Sequence, residues 1–426
     1  MKKQNGYVLD APYPIFFYKE MQPLWLNTVL KFSGFNTIDI DKKFSYLELG
    51  CATGINLLVC AILNPHGQFI GVDFNQQHIE KAKGLAAYLE IENIEFIHGD
   101  FQTFLETNQN QFDFIVNHGT FTWVSAQEQD YILQIVAKFL KNLGVFYLHY
   151  MCYPGSSALQ PIQKLLHLVD QQNNESSLKN IEIGKTLFSA LHQAGTFVDH
   201  PQIEAIIKSL ENSNSYLVHE FLTDYWQPLY SVDLHQKVFS ATQMNYIGSA
   251  NPVENVESLS IPRNMQQIVQ NQQAPELKEY LKDLARNSKQ RVDIFQKKPE
   301  ALTSTEHVHE IGNLKFKLLP HVPKNSAITF HTNIGEIKAP KEIISEVFGL
   351  FVKNEAYFYD LLKLNYFKQN PMFLIETIFL LMNEHYLQPV GTKSKLVDAK
   401  IIQKFNHKMQ EEGSRLKMLD NTIMHF

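Results

Sequence analysis

The stretch that decides the fold is Phe44–Asp73, which reads FSYLELGCATGINLLVCAILNPHGQFIGVD. Its pattern predicts a β-strand, a turn with glycines, a helix and a second strand that ends on an acid. The turn has the form Glu48-x-Gly50-x-Ala52-x-Gly54. Glycine lets a backbone approach a ligand closely, because it carries no side chain and accepts turn dihedrals. The stretch therefore predicts that an elongated, nucleoside-like ligand lies on this turn.

The alternation of strands and helices continues as far as Gly155. Short β-rich runs separated by helical stretches are typical of parallel strands joined by right-handed crossovers. The predicted fold class is therefore α/β, with a Rossmann-like doubly wound sheet. We place strands at 46–49, 69–72, 94–97, 112–116 and 145–150, and helices at 54–63, 76–89 and 127–140.

The 426 residues are too many for one domain, since single cores stop growing near about 250 to 300 residues. Residues 1–43 are predicted to form an N-terminal arm and helix, followed by a ligand-binding core at 44–155. Residues 156–252 are interpreted as a helical lid over the carboxyl ends of the strands, and as the completion of the core. We interpret residues 253–310 as a helical linker and residues 311–426 as a smaller, mostly helical domain.

Charge and composition exclude several classes of function. The formal net charge is -6 and no long basic block is present, which argues against binding to nucleic-acid phosphates. The spacing of Cys51, Cys60 and Cys152 fits neither a metal site nor a redox pair, as expected for reduced cysteines. The most apolar stretch, Phe373–Met382, is too short to span a bilayer, and the N-terminus lacks a signal-peptide core. We expect a cytoplasmic protein with no membrane span; the sequence leaves a homodimer open.

The turn favours an adenosyl ligand over a dinucleotide. The dinucleotide fingerprint is Gly-x-Gly-x-x-Gly, whereas here an acid precedes the first glycine and Gly54 follows Ala52 by two residues. Asp73 is placed to accept hydrogen bonds from both ribose hydroxyls, and Asp100 to receive an adenine amine. Taken singly, either acid would serve equally well as a helix cap or turn residue. The predicted cofactor is S-adenosyl-L-methionine. Its predicted binding residues are Glu48, Gly50, Ala52, Gly54, Asn56, Asp73, Phe74, Asp100, Phe101, Asn117 and His118.

These residues resemble those of a known family. The run Glu48–Leu58, ELGCATGINLL, is similar to class I S-adenosylmethionine-dependent methyltransferases. More narrowly, it resembles the bacterial group with a methyltransferase regulatory domain, which includes the rickettsial protein lysine methyltransferases. The resemblance extends to Pro12–Pro14, His118–Trp123 and Tyr150–Gly155, and residues 216–298 resemble the regulatory domain.

The resemblance implies transfer of a methyl group to lysine amines of a protein by in-line displacement. Such a reaction needs approach and orientation and no covalent intermediate. We expect His118 to act as a base and Tyr13 as a ring wall, with Tyr13, Trp123 and Tyr150 binding the substrate. Otherwise His118 would only bond the loop backbone, and Trp123 would only be part of the core.

Two alternatives to a protein lysine acceptor stay open at the level of sequence. One is a small molecule or glycan precursor as acceptor, and the other is a cofactor-binding regulatory protein without activity. Phe121 and Thr122 stand where relatives often carry tyrosine and serine, and Met151 stands where they carry asparagine. These differences would change which acceptor is bound without affecting the cofactor site. Methylation of nucleic-acid bases is disfavoured, because no proline follows Asn117.

Seventeen histidines raise the question of a metal site. The best candidate is Glu306–Glu310, where an extended backbone would point two histidines to one face and two glutamates to the other. That alternation divides the ligands, and no cysteine or further acid at a recognised spacing completes the set. We therefore expect no metal.

Overall fold

The computed structural model describes residues 2–198, 202–323, 327–351, 355–391 and 397–425. The N-terminal arm consists of a small antiparallel hairpin, an extended segment and a helix. Its elements are β1 (Lys3–Gln4), β2 (Tyr7–Val8) and α1 (Pro23–Phe32).

The core that follows alternates strands and helices. Its elements are β3 (Phe44–Leu49), α2 (Ile55–Leu63), β4 (Gly67–Asp73), α3 (Gln76–Leu89), β5 (Ile94–His98), α4 (Phe101–Thr107), β6 (Phe112–Asn117), α5 (Ala126–Phe139) and β7 (Leu140–Met151). Every predicted strand and helix of this region is present, and the predicted α/β Rossmann-like fold class is confirmed. Helix α4 is an addition, and β7 begins five residues earlier than predicted (140 against 145).

The register of the sheet brings the strand ends together. Parallel ladders pair Leu49 with Val72 on one side and with Asn117 on the other, and Asp73 with His98. Carboxyl ends of neighbouring parallel strands lie at one edge of a sheet, where ligands bind in open α/β folds. The predicted ligand turn, Asp73 at the end of β4 and Asp100 after β5 therefore lie at this edge of the sheet.

The segment predicted to be a lid, after Gly155, is helical, and further helices and two strands follow it. The elements are α6 (Gln160–Gln172), α7 (Ser177–Gln193), α8 (Ile203–Leu210), α9 (Asn214–Phe221), α10 (Ser231–Thr242), β8 (Tyr246–Ser249), α11 (Glu257–Ser260), α12 (Arg263–Gln270), α13 (Pro275–Arg286) and β9 (Gln290–Gln296). Lid residues Leu217 and Phe221 share an apolar cluster with Val8 of the arm and Trp123 of the core. The arm and the lid thus pack as one layer on the core.

The central sheet extends further along the chain than predicted. Its order is β5-β4-β3-β6-β7-β9-β8, and β9 is antiparallel to both β7 and β8. The sheet therefore includes residues 290–296, which the prediction placed in the helical linker 253–310, beyond a core that ended at residue 252. Helix α13 ends at Arg286, because Asn287 adopts a left-handed conformation with φ 49°. Buried charges on Arg291 and Asp293 made this strand look like a polar segment.

The C-terminal region contains more β-structure than predicted. Its elements are α14 (Ser304–Gly312), β10 (Lys315–Leu318), β11 (Ile328–Thr332), β12 (Gly335–Ala339), α15 (Lys341–Gly349), β13 (Glu355–Tyr357), α16 (Phe358–Leu361), α17 (Asn365–Lys368), α18 (Pro371–Asn383), β14 (Leu387–Val390), α19 (Ala399–Glu411), β15 (Leu416–Leu419) and β16 (Thr422–His425). The strands form a sheet of order β13-β10-β14 and two hairpins, β11-β12 and β15-β16. Strands of three to five residues are too short to show a clear alternation, which is why a mostly helical domain was predicted.

The histidine-rich segment Glu306–Glu310 is helical. Thr303 and Glu306 form a capping box at the start of α14, so the predicted extended backbone is wrong here. No group of three or more histidine, cysteine, aspartate or glutamate side chains converges within the described ranges. None of the helices in these ranges is long and apolar enough to cross a membrane.

Candidate active site

The turn after β3 has a strained backbone that two hydrogen-bond partners hold. Gly50, Ala52 and Gly54 all have positive φ, of 76°, 46° and 74°. A left-handed conformation is unfavourable for alanine, and Ala52 keeps it while its backbone N–H donates to Asp73 Oδ2 at 2.9 Å. Gly50 N–H donates to the carbonyl of Val72 at 2.8 Å. The turn is therefore fixed to the end of β4.

The other carboxylate oxygen of Asp73 contacts the segment that follows β4. Its Oδ1 accepts the backbone N–H of Asn75 at 2.9 Å and lies 3.6 Å from His78 Nδ1. The side chain is buried yet lines an open cleft. Asp100 lines the same cleft and also caps α4, because its Oδ1 accepts the N–H of Thr103 at 2.7 Å. Asp100 thus caps a helix, and its contact with an adenine amine stays a prediction.

The cleft at this strand edge encloses about 780 Å³ of empty space. Residues predicted to bind a cofactor form much of its lining: Gly50, Ala52, Asp73, Phe74, Asp100, Phe101 and His118. Rings from the arm, Tyr7 and Tyr13, cover it from above, and His78 lies at its side. We refer to this space as the first cleft.

Two predicted cofactor residues have structural roles instead. Gly54 precedes α2, and a Cβ there would lie about 2.5 Å from the ring of Phe96, so packing requires glycine at this position. Asn56 lies on α2, where its Oδ1 accepts the backbone N–H of Tyr18 at 2.9 Å. Neither residue lines the first cleft. Asn56 therefore anchors the arm.

Glu48 and Asn117 lie behind the lining residues Gly50 and His118. Asn117 Nδ2 donates to the carbonyl of Leu49 at 2.9 Å, and its Oδ1 has no partner. Glu48 Oε2 also has no partner, and burial, followed by the charge of Asp73, raises the pKa of this carboxyl to about 8. With His78 Nδ1, these are three buried polar atoms near the cleft that have no hydrogen-bond partner. A ligand with several polar groups, such as S-adenosylmethionine, fits such a site.

A larger cavity, of about 1450 Å³, adjoins the first cleft. Five residues line both spaces: Tyr7, Tyr13, His118, Gly119 and Trp123. We call it the second cavity. The predicted catalytic and substrate-binding residues Tyr13, His118 and Trp123 therefore lie where the two spaces meet.

A stack of rings forms one wall of the second cavity. His118 lies between Tyr18, at 3.6 Å between centroids, and His149, at 4.1 Å. The Nδ1 atom of His149 accepts the N–H of Gly119 at 3.1 Å, so its Nε2 carries the proton that faces Gln290 Oε1 at 3.3 Å. Burial lowers the pKa of His149 to about 4 and also lowers that of His118. Both imidazoles are therefore neutral at physiological pH.

Tyr150 does not line either space, so its predicted substrate contact is wrong. Its ring is fully buried, and its hydroxyl donates to Asp293 Oδ2 at 2.6 Å. Successive residues of a strand face opposite sides of a sheet, so His149 lines the cavity while Tyr150 points into the core. Tyr150 belongs to a buried network in which Arg291 Nε donates to Asp293 Oδ1 at 3.0 Å.

The second cavity also contains three carboxyl groups, of Glu20, Glu220 and Glu254. Burial raises the pKa of Glu220 to about 7. The sequence interpretation did not select these acids, nor His78, His149 and His219. A histidine within the apolar strand VFYLHYM was the one local signal, because a buried polar residue in such a run needs a partner.

Comparison with known families assigns this arrangement to a class. Residues 40–231 match a family described as a methyltransferase domain, and residues 213–297 match a predicted methyltransferase regulatory domain. The chain therefore carries a class I S-adenosylmethionine-dependent methyltransferase domain followed by a methyltransferase regulatory domain.

Individual relatives extend the comparison beyond these domains. An uncharacterized protein of Synechocystis sp. is 28% identical over 346 residues, which cover 80% of this chain and 68% of the relative. An uncharacterized protein of Rickettsia prowazekii is 29% identical over 228 residues, covering 52% of this chain and 90% of the relative.

Solved structures show that the fold is shared over most of the chain. PKMT2 from Rickettsia typhi superimposes with a TM-score of 0.71 and 19% identity, covering 97% of this chain and 87% of that one. The complex of PKMT2 with AdoHcy gives a TM-score of 0.69 and 21% identity, covering 90% and 78%.

Proposed function

We propose that this methyltransferase transfers the methyl group of S-adenosylmethionine to the amine of a lysine side chain in a protein. The observation that carries the proposal is the junction of the two spaces. The first cleft holds the residues expected to bind the cofactor, and the second cavity meets it at Tyr13, His118 and Trp123 with an aromatic and carboxyl-bearing lining.

The residues of the first cleft would hold the cofactor. When bound, S-adenosylmethionine supplies an electrophilic methyl group on a sulfonium. Asp73 would accept hydrogen bonds from the ribose, Asp100 would face the adenine, and the turn at Gly50 leaves room for the aminoacyl tail. These contacts fix the direction from which an acceptor approaches, and orientation is the main contribution needed for in-line displacement.

The lining of the second cavity suits a lysine side chain. Aromatic rings of Tyr13, Tyr18 and Trp123 can enclose the aliphatic stem, and carboxyl groups attract the ammonium group. The neutral His118 and His149 add no positive charge that would repel it. The shared fold with PKMT2 and the family resemblance of the motifs support the same acceptor.

A small-molecule acceptor is the second candidate, since a cavity of about 1450 Å³ also admits a metabolite or glycan precursor. A third candidate is a regulatory protein that binds the cofactor without turnover. Calorimetry with S-adenosylmethionine tests the common premise, and binding at micromolar concentration is expected. Incubation with methyl-labelled cofactor and either protein extract or metabolite extract separates the candidates. We expect label in protein; label only in metabolites would contradict the proposal, and no label in either extract would favour the regulatory protein.

A further inference from the structure

Of the three carboxyl groups in the second cavity, two have a cation beside them, whereas that of Glu220 is hydrogen-bonded to the side chain of Tyr216. Glu20 forms an ion pair with Lys19 at 2.5 Å. Glu254 Oε2 accepts the hydroxyl of Ser249 at 2.7 Å, and the charge of Arg286 stabilises its carboxylate. Within the described residues, Glu220 has no cationic partner, and no cation contributes to its pKa. Buried charges are usually paired, so a cavity carboxylate without a cation can bind a positively charged group from outside.

Glu220 lines the second cavity and is held next to the junction of the two spaces. It lies in the last turn of α9, and its backbone carbonyl accepts Trp123 Nε1–H at 3.0 Å. Trp123 lines both spaces, and so does Tyr13, whose phenol is close enough to feel the charge of Glu220. The Glu220 side chain therefore lies on the second-cavity side of this junction, close to Tyr13 and Trp123.

We propose that Glu220 binds the acceptor's ammonium group and takes its proton before methyl transfer. The role rests on the proposed lysine specificity. A lysine amine is protonated at neutral pH, since its unperturbed pKa is about 10.4, and an ammonium has no lone pair with which to attack. An acid with a pKa near the working pH is suited to this transfer. Burial gives the Glu220 carboxyl such a pKa, of about 7.

An N–H bond of the ammonium breaks, its electron pair stays on nitrogen, and the proton moves to an oxygen of Glu220. The amine lone pair then forms the new N–C bond while the methyl–sulfur bond breaks and its electron pair stays on sulfur. The methylated ammonium leaves, and Glu220 releases its proton to water.

Other titratable groups around Glu220 do not replace it. Tyr7, Tyr13 and Tyr18 on the arm, and Tyr216 one turn earlier on α9, all have raised pKa values because of burial and stay protonated at neutral pH. Burial lowers the pKa of the adjacent His219 to about 4. Glu220 is therefore the group of this cluster that changes charge near pH 7.

The test uses the full chain, deuteromethyl S-adenosylmethionine and a denatured bacterial protein extract as acceptor, with methyllysine formation measured from pH 7 to 9.5. We expect Glu220→Gln to be about 100-fold slower at pH 7.5, a typical loss for a general base. The deficit should shrink about tenfold per pH unit, because the free-amine fraction rises by that factor below a pKa of about 10.4. Glu220→Asp, which keeps a carboxylate, should be intermediate, with a profile shaped like that of the wild type.

Glu182→Gln, a change of an exposed lid glutamate on α7, is the matched control and should behave as wild type. Cofactor affinity by calorimetry reports whether each variant is folded; if Glu220→Gln fails this check, the profile of Glu220→Asp decides. Equal rates for Glu220→Gln and wild type, or a deficit that is the same at every pH, would overturn the role of Glu220 alone. Absence of methyllysine in the wild-type reaction would overturn the lysine specificity and this role together.

Discussion

The imidazole rings of His118 and His149 lie nearly parallel, at an interplanar angle of 11° and a centroid distance of 4.1 Å. His118 Nδ1 lies 2.8 Å from the hydroxyl of Tyr147, and Gly119 N–H donates to His149 Nδ1 at 3.1 Å. The loop after β6 is thereby attached to β7. The stack forms an uncharged wall of the second cavity, and its His118 also lines the first cleft.

Replacing His118 with alanine should slow methyl transfer while the enzyme still binds its cofactor. The variant loses the ring between Tyr18 and His149, and with it the wall that orients the acceptor. We expect a loss of about 100-fold in kcat, the size expected when a reactant is misplaced by about 1 Å, with cofactor affinity by calorimetry unchanged. A matching loss of cofactor affinity would show that the ring serves the cofactor instead.

Asp73→Ala should abolish cofactor binding. The change removes the acceptor for the N–H groups of Ala52 and Asn75 as well as the carboxylate that faces the cleft. Hydrogen bonds to a charged group contribute about 1.5 to 3 kcal/mol each, so an affinity loss of at least 100-fold is expected. Calorimetry measures it, with Glu182→Gln as the control. Equal affinities of Asp73→Ala and wild type would overturn the site.

Glu48 should make the stability of the cofactor-free protein fall as the pH rises. The pKa of its carboxyl is about 8 when folded, against an ordinary value of 4.5. Between these values the folded state binds more protons than the unfolded state, so the free energy of unfolding decreases with pH, by at most about 1.4 kcal/mol per pH unit. Urea titrations from pH 4.5 to 8 should show a shallower decline for Glu48→Gln. Parallel curves for both proteins would contradict the assignment.

Tyr150→Phe should lower stability without affecting the acceptor. The variant loses the hydroxyl that donates to the buried carboxylate of Asp293, which should cost about 1.5 to 3 kcal/mol in the free energy of unfolding. The KM for the protein acceptor should stay within experimental error. A raised KM with unchanged stability would restore Tyr150 to the substrate site.

The sequence predicted the cofactor side better than the acceptor side. The turn at Gly50 and the acids Asp73 and Asp100 lie at strand ends within one continuous stretch, so local patterns locate them. His149 and Glu220 line the same cavity although they are far apart in the sequence. Local sequence patterns do not show which distant residues come together in the fold. The choice of Tyr150 over His149 depended on which face of β7 points to the cavity, and the register of the sheet decides that.

The most direct test of the central claim is where the methyl group goes. The wild-type chain, incubated with deuteromethyl S-adenosylmethionine and a bacterial protein extract, should place the label on lysine side-chain nitrogen, as read by tandem mass spectrometry of the digested proteins. Asp73→Ala under the same conditions should leave lysine unlabelled. Label found on another side chain or only in small molecules, with none on lysine, would contradict the claim.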